Sequence, residues 1–150
     1  AGFGALPPAA KAQLKDTIRH EIDRGASLAA RDISRAEFAH TAFWQRFQQL
    51  LERYEYFILP VTQVPPFDVQ QPYISEIDGV PMTSYTDWMR SCYYISVAGN
   101  PAISVPCGFT AEGLPVGLQI VGRWRDEWSV LQLAHAYESA AGYWRRRPEL

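Results

Sequence analysis

The sequence predicts an α/β fold, and three stretches carry that reading. An amphipathic helical stripe ending at Tyr54 runs on a short link into the apolar stretch Phe57-Ile58-Leu59. Helix then strand on a short connection is α/β grammar. Asn100–Gly122 reads as strand, turn and strand, and a second helical stripe over Val130–Ala141 follows it. At 150 residues the chain is long enough for one domain with a real core.

Residues 1–10 are small residues, glycine and proline, and read as a loop or linker. Over Lys11–Arg24, Leu14, Ile18 and Ile22 recur at helical spacing, with Gly25 suited to the C′ position. Lys11 and Lys15 fall on that helix's solvated face. Ser34 and Glu37 have capping-box spacing, with Asp32 a rival N-cap. The helix that follows places Ala36, Ala39, Phe43, Phe47, Leu50, Leu51 and Tyr54 on one stripe, and Pro60 ends the strand after it. Val61–Thr86 is proline-rich without clear periodicity and reads as an ordered surface loop. Asp87 caps a helix running to about Ala98, closed by Gly99 and Asn100.

In the next stretch Ile103, Val105 and Cys107 alternate with Ser104 and Pro106, the period of a two-faced strand. Glu112-Gly113 supplies a tight reversal. Val116–Val121 is apolar except for Gln119, as in a strand covered on both faces. A buried Gln119 needs hydrogen-bond partners, and holding a neighbouring loop is the expected role. Asn100, after a glycine at a helix end, is expected as a cap or turn residue. Asp126 caps the last helix, whose expected buried stripe is Val130, Leu131, Ala134, Tyr137 and Ala141, with Gly142 closing it.

Composition removes several function classes. The chain is 47% hydrophobic and 20% charged, which argues against disorder. A net charge of −2 gives no general attraction to nucleic acid or anionic membrane. No apolar run is long enough to span a bilayer. The arginines of Trp144–Arg147 have no second basic cluster to continue a track, so a solvated terminus is expected. Cys92 and Cys107 lack metal-ligand spacing and read as free, buried thiols in a reducing compartment, so no metal site is expected. No targeting leader is visible, and the expected location is cytoplasmic.

The run PAISVPCGF (Pro101–Phe109), then GLPVGLQIVG (Gly113–Gly122), then a helix rich in Leu, Ala and Glu, resembles the C-terminal signature of the amidase signature family. A helix carrying Ala36 and Phe38, followed by YEYFILP (Tyr54–Pro60), is similar to the family's helix and its Tyr-Asp-x-(Ile/Leu)-(Ile/Leu)-x-Pro strand. The resemblance covers nearly the whole chain and only the final part of a longer family domain. It implies the C-terminal part of that fold, a twisted mixed β-sheet flanked by helices. It also implies hydrolysis of a carboxamide C–N bond by a Ser–cis-Ser–Lys triad, with neither metal nor organic cofactor.

Carried over residue by residue, the catalytic set is empty. The chain has no adjacent serine pair and no GxSxG elbow, and neither lysine stands in the context of the family's base. Cys107 with His20, His40 or His135 could form a thiol–imidazole pair only if the fold brought them together, and no sequence context supports it. For His135, beside the apolar stripe, a structurally satisfied role is expected. The triad is therefore expected on an N-terminal portion not contained in these residues, the whole of 1–150 being the C-terminal portion. An N-terminal Ala1, with Met82 and Met89 the only methionines, fits a fragment, a processed product or a partial chain.

What the resemblance leaves to this chain is a pocket wall, with Thr86, Met89, Tyr93 and Ser96 as the substrate-binding candidates. Met89, Tyr93 and Ser96 share one helical face, with Thr86 a turn earlier. Many family members carry Asn where Ser96 stands. The glutamine-amidotransferase branch carries, at the position of Met89, an Asp that holds the substrate's amino group. Uncharged Met89 cannot do that, and with Tyr85, Trp88, Tyr93 and Tyr94 nearby the wall is apolar and aromatic. An aryl or alkyl amide substrate is expected, with the same aromatics serving as ordinary core as the competing reading. The expected partners are that small-molecule amide and the catalytic portion of the same enzyme, with a homo-oligomer left open and with no nucleic acid and no membrane. The contrasting hypothesis is a free-standing, non-catalytic domain of amidase ancestry that binds a small molecule or completes a partner.

Overall fold

A computed structural model describes residues 3–147, so the linker expected over residues 1–10 falls partly outside the described residues. The chain divides into two units, Ala1–Thr41 and Ala42–Leu150. In the first, a short 3-10 turn (Phe3–Ala5) precedes α1 (Pro8–Lys11) and α2 (Asp16–Ala26). The single helix expected over Lys11–Arg24 is thus two. Pro8 starts a separate turn, where its missing N–H costs nothing. Lys15 is extended and Asp16 opens the second helix, where a carboxylate suits the N-terminal dipole. Leu14, Ile18 and Ile22 are half-buried, as their spacing predicts. Gly25 lies inside α2, and the hydroxyl of Ser27 ends the helix by donating to the Arg24 carbonyl at 2.8 Å.

The long helix α3 (Ala30–Arg53) starts earlier than the capping-box reading allows, leaving Ser34 and Glu37 in its interior. Asp32 serves the N-terminus instead, accepting from the Ala29 N–H at 3.0 Å. In its C-terminal half Phe47 and Leu51 are buried, Phe43 and Leu50 pack beside them, and Tyr54 is exposed.

In the second unit β1 (Phe57–Pro60) pairs antiparallel with β5 (Pro115–Val121), and β5 pairs antiparallel with β4 (Ala102–Phe109), giving the order β1-β5-β4. Pro60 ends β1, as expected, and is its last paired residue; one further bond runs from the Val61 N–H to the Gly117 carbonyl. An edge strand tolerates proline because one row of its N–H groups needs no ladder partner. The stretch read as loop contains a small hairpin, β2 (Glu76–Ile77) and β3 (Val80–Pro81). Asp78 (φ 50°) and Gly79 (φ 74°) turn it, the left-handed pair that a two-residue reversal requires.

The helix expected from Asp87 begins as a 3-10 turn (Asp87–Met89) and becomes α4 (Arg90–Ala98), with Gly99 closing it at φ 69°. The last helix, α5 (Glu127–Ala141), has the expected cap, Asp126 accepting from the Ser129 N–H, and the expected left-handed Gly142.

The sheet separates two cores. Phe47, Leu51, Ile95, Ala98 and Val121 join α3 and α4 to one face, and Val105, Ile120 and Ala134 join α5 to the other. Successive β5 residues, Ile120 and Val121, point into opposite cores, as strand geometry dictates. Burying each such aliphatic side chain contributes roughly 1.5–3 kcal/mol. The strand expected to be covered on both faces is so covered only at its C-terminal end, Ile120 and Val121, while Val116–Gln119 are half-buried. β4 alternates, as its two-faced period predicts: Val105 is buried while Ala102, Ser104 and Pro106 are exposed. On α5, Leu131 faces outward at 51% exposure, a departure from the expected stripe, whose place Leu133 takes. His135 is exposed rather than packed against the apolar stripe.

Candidate substrate-binding surface

The four candidate residues lie along one segment of the second unit. Thr86 is half-buried at the start of the 3-10 turn, its hydroxyl 3.0 Å from that of Ser84. The Met89 N–H donates to the Thr86 carbonyl, placing Met89 one 3-10 turn later. Met89 is not in the α-helix. It is the residue before it, half-buried, at φ −92° and ψ 14°. Tyr93 and Ser96 follow on α4. Tyr93 is half-buried, its ring 4.8 Å from that of Tyr94 and nearly perpendicular to it. Burial, reinforced by a hydrogen bond with Tyr94, raises its phenol above the ordinary tyrosine range, so it stays protonated and able to donate. Ser96 is exposed, its hydroxyl donating to the Cys92 carbonyl at 3.3 Å.

Polar contacts hold this segment in place. Asp87 accepts from the Thr83 N–H at 2.9 Å and hydroxyl at 2.6 Å, and from Arg90 at 3.2 Å. Those bonds, Thr83's first, lower its carboxyl to about 2. Ser91 and Cys92 both donate to the Val61 carbonyl, at 3.0 and 2.8 Å. Gln63 donates to the Trp88 carbonyl at 2.5 Å. The 3-10 turn and α4 are thereby pinned to the chain leaving β1.

Around it lies an aromatic group, with Phe67 against Trp88 (5.4 Å), Tyr85 against Trp88 (6.1 Å) and Tyr73 against Tyr85 (6.4 Å), all edge-on. None of these rings belongs to the two buried cores, to which α4 contributes Ile95 and Ala98. A cleft of about 290 Å³ lies against them, lined by Gln63, Pro65, Phe67, Trp88, Val116 and Gly117 among others. None of the four candidates lines it, and none lines a second cleft that also reaches Pro115 at the start of β5. The sequence singles out Trp88 only as a neighbour of Met89. The cleft was invisible there because it forms from a loop and a strand far apart in the chain.

Two side-chain atoms in this region are buried without a hydrogen-bond partner, Trp88 Nε1 and Gln119 Oε1. The tie from Gln119 to a loop that its burial predicts is absent at that oxygen. Asn100, expected as a turn residue, does more: its amide accepts from Gln48 at 2.8 Å and donates to the Gly122 carbonyl at 2.9 Å.

Both cysteines are free, and both are half-buried. Among the described residues no three His, Cys, Asp or Glu side chains cluster as a metal site would require. Among them, too, no helix is long and apolar enough to cross a membrane. The arginine tail is not simply solvated, for the Arg146 guanidinium lies 4.1 Å over the ring of Phe109.

This antiparallel sheet between helices, with the motifs of β4 and β5, defines the class. Residues 4–131 match the Amidase family profile, and the chain belongs to the amidase signature family. It is 38% identical over 116 residues to a glutamyl-tRNA(Gln) amidotransferase subunit of Oceanobacillus iheyensis, covering 77% of this chain and 22% of that protein. The corresponding protein from Brevibacillus brevis is 41% identical over 115 residues, with the same coverage. The chain thus spans about a fifth of the length of these relatives. In three dimensions it is similar to a bacterial aryl acylamidase of the amidase signature family, with a TM-score of 0.84 and 23% identity, over 96% of this chain and 31% of that one.

Proposed function

We propose that these residues form the C-terminal portion of a serine-dependent amide hydrolase. They supply strands of its sheet and one wall of its substrate pocket. The observation that carries this is the family match over 4–131 in a chain with no adjacent serine pair, spanning 22% of its relatives' length. The serines and the lysine base then belong to the catalytic portion of the same enzyme, and the isolated chain is inactive. A cytoplasmic enzyme acting on a small-molecule amide, without metal or organic cofactor, is the whole proposal.

On this reading Thr86, Met89, Tyr93 and Ser96 face the acyl side of the substrate. Met89 offers a polarisable apolar contact, Tyr93 a protonated phenol, and Thr86 and Ser96 hydroxyls. With Tyr85, Trp88 and Tyr94 outside the buried cores, the wall suits an aryl or alkyl carboxamide. None of these side chains carries a charge that would neutralise a substrate ammonium group, and the nearby Asp87 carboxylate is already held by Thr83 and Arg90.

A second reading has its own support. Relatives at 38% and 41% identity are amidotransferase subunits, which favours glutamine as the amide donor. The protein expressed from its whole reading frame separates the two. Turnover of aryl or alkyl amides without glutaminase activity is expected, and glutaminase activity alone would select the second reading. Met89→Asp tests the wall. With Met89 facing substrate, preference shifts toward amides bearing an amino group and stability falls only moderately. With Met89 packed inside, the unpaired buried charge unfolds the protein instead.

A further inference from the structure

The β4–β5 reversal and the C-terminal turn (Tyr143–Arg145) enclose a second cleft, of about 680 Å³. Its chemistry is concentrated in six side chains, Phe109, Glu112, Tyr143, Trp144, Arg146 and Arg147. Phe109 and Tyr143 have ring centroids 6.5 Å apart. Arg146 covers Phe109 at 4.1 Å, and its Nη2 lies 3.4 Å from where a Cβ would stand on Gly113. Gly113, at φ +84°, is the position the reversal reserves for glycine, so the guanidinium sits in a niche the turn itself creates. Among the described residues neither Arg146 nor Arg147 pairs with a carboxylate. Glu112 accepts hydrogen bonds from Thr110 and from its own backbone, which favour its ionised form.

We infer that this cleft binds a monoanionic aromatic molecule, an aryl carboxylate, with its ring among Phe109, Tyr143 and Trp144 and its carboxylate on Arg146 and Arg147. Guanidinium groups bind carboxylates through paired, charge-assisted hydrogen bonds. Aromatic walls favour an edge or offset ring contact. Two cations and one anion leave a single positive charge, which one carboxylate neutralises, while Glu112 opposes a second. An aryl carboxylate is also what hydrolysis of an aryl carboxamide by water releases, with ammonia, but the binding itself does not rest on the proposed activity.

The test is calorimetric titration of naphthoate, and of its neutral isostere naphthamide, into the protein expressed from its whole reading frame. Saturable naphthoate binding is expected, with naphthamide about tenfold weaker. The double variant Arg146→Gln/Arg147→Gln should lose affinity by about the same factor. Arg53→Gln, which alters a cation stacked on Tyr54 at the end of α3 and away from the lining, should leave affinity unchanged. The naphthamide arm needs no variant, so the comparison survives if the double variant does not fold. The inference is overturned by absence of saturable naphthoate binding, by equal affinity for acid and amide, or by Arg53→Gln costing as much as the double variant. Catalytic turnover is measured separately, so a silent active site and an empty cleft are distinguishable results.

Discussion

Asn100 joins α3 to the end of β5 through one side chain. Its oxygen accepts from Gln48 on the helix, and its nitrogen donates to Gly122 at the strand's end. Because Asn100 is buried, truncation strands the Gly122 carbonyl away from water. Asn100→Ala should therefore cost about 2 kcal/mol in urea denaturation. Asp87 is the residue whose charge matters most to this segment, and its carboxyl is lowered from 3.8 to about 2, chiefly by Thr83. A carboxyl depressed on folding adds stability above its unfolded pKa and loses it as pH falls through the folded one. Melting temperature should accordingly drop between pH 3.8 and about 2. Asp87→Asn should flatten that part of the profile. An unchanged acid limb would mean these bonds contribute nothing to folding.

At the scale of elements, the junction of β5 with α5 is close-packed. A Cβ on Gly122 would stand 2.3 Å from Val130 Cγ2, on a side chain with 3% exposure and no room to retreat. Gly122→Ala should lower stability by about 1–3 kcal/mol. Gly25, inside α2 with nothing within 4 Å of a Cβ, predicts the opposite sign. There Ala should add about 0.5–1 kcal/mol. Thermal melts of the two variants side by side check both signs. Element types were largely legible in the residues. The C-terminal half of the α3 stripe, the Asp126 cap and the Glu112-Gly113 reversal stand where their local chemistry places them, while Ala36, Ala39 and Tyr54 of that stripe are exposed. The misses have local causes too. Pro8 splits off a helical turn, and Asp78-Gly79 makes a hairpin from a stretch whose prolines hide any period.

The whole molecule carries more apolar surface than its described contacts cover. Phe38, Val69 and Trp128 are 75%, 90% and 70% exposed, and β1 and β4 are both edges of the sheet. Open edges and apolar patches promote association. Residues 1–150 expressed alone should therefore bind a hydrophobic dye and self-associate on sizing columns. A monodisperse, dye-silent monomer would instead favour the free-standing domain. The candidate site was only partly legible. Sequence placed Thr86, Met89, Tyr93 and Ser96 along one segment, since local spacing suffices for that. It did not reveal that Met89 precedes the α-helix, or that a cleft forms where the chain after β1 meets Trp88 and β5.

Sequence alone determined the α/β class and the family, because these rest on residue identity and on periods of two and 3.6. Tertiary structure alone decided that β5 lies between β1 and β4, with Ile120 in one core and Val121 in the other. It alone seated Arg146 over Phe109 beside Gly113. The reason is physical. A side chain's period records which way it points, but what it meets there is set by segments distant in the chain, through pairing and packing that no local pattern encodes.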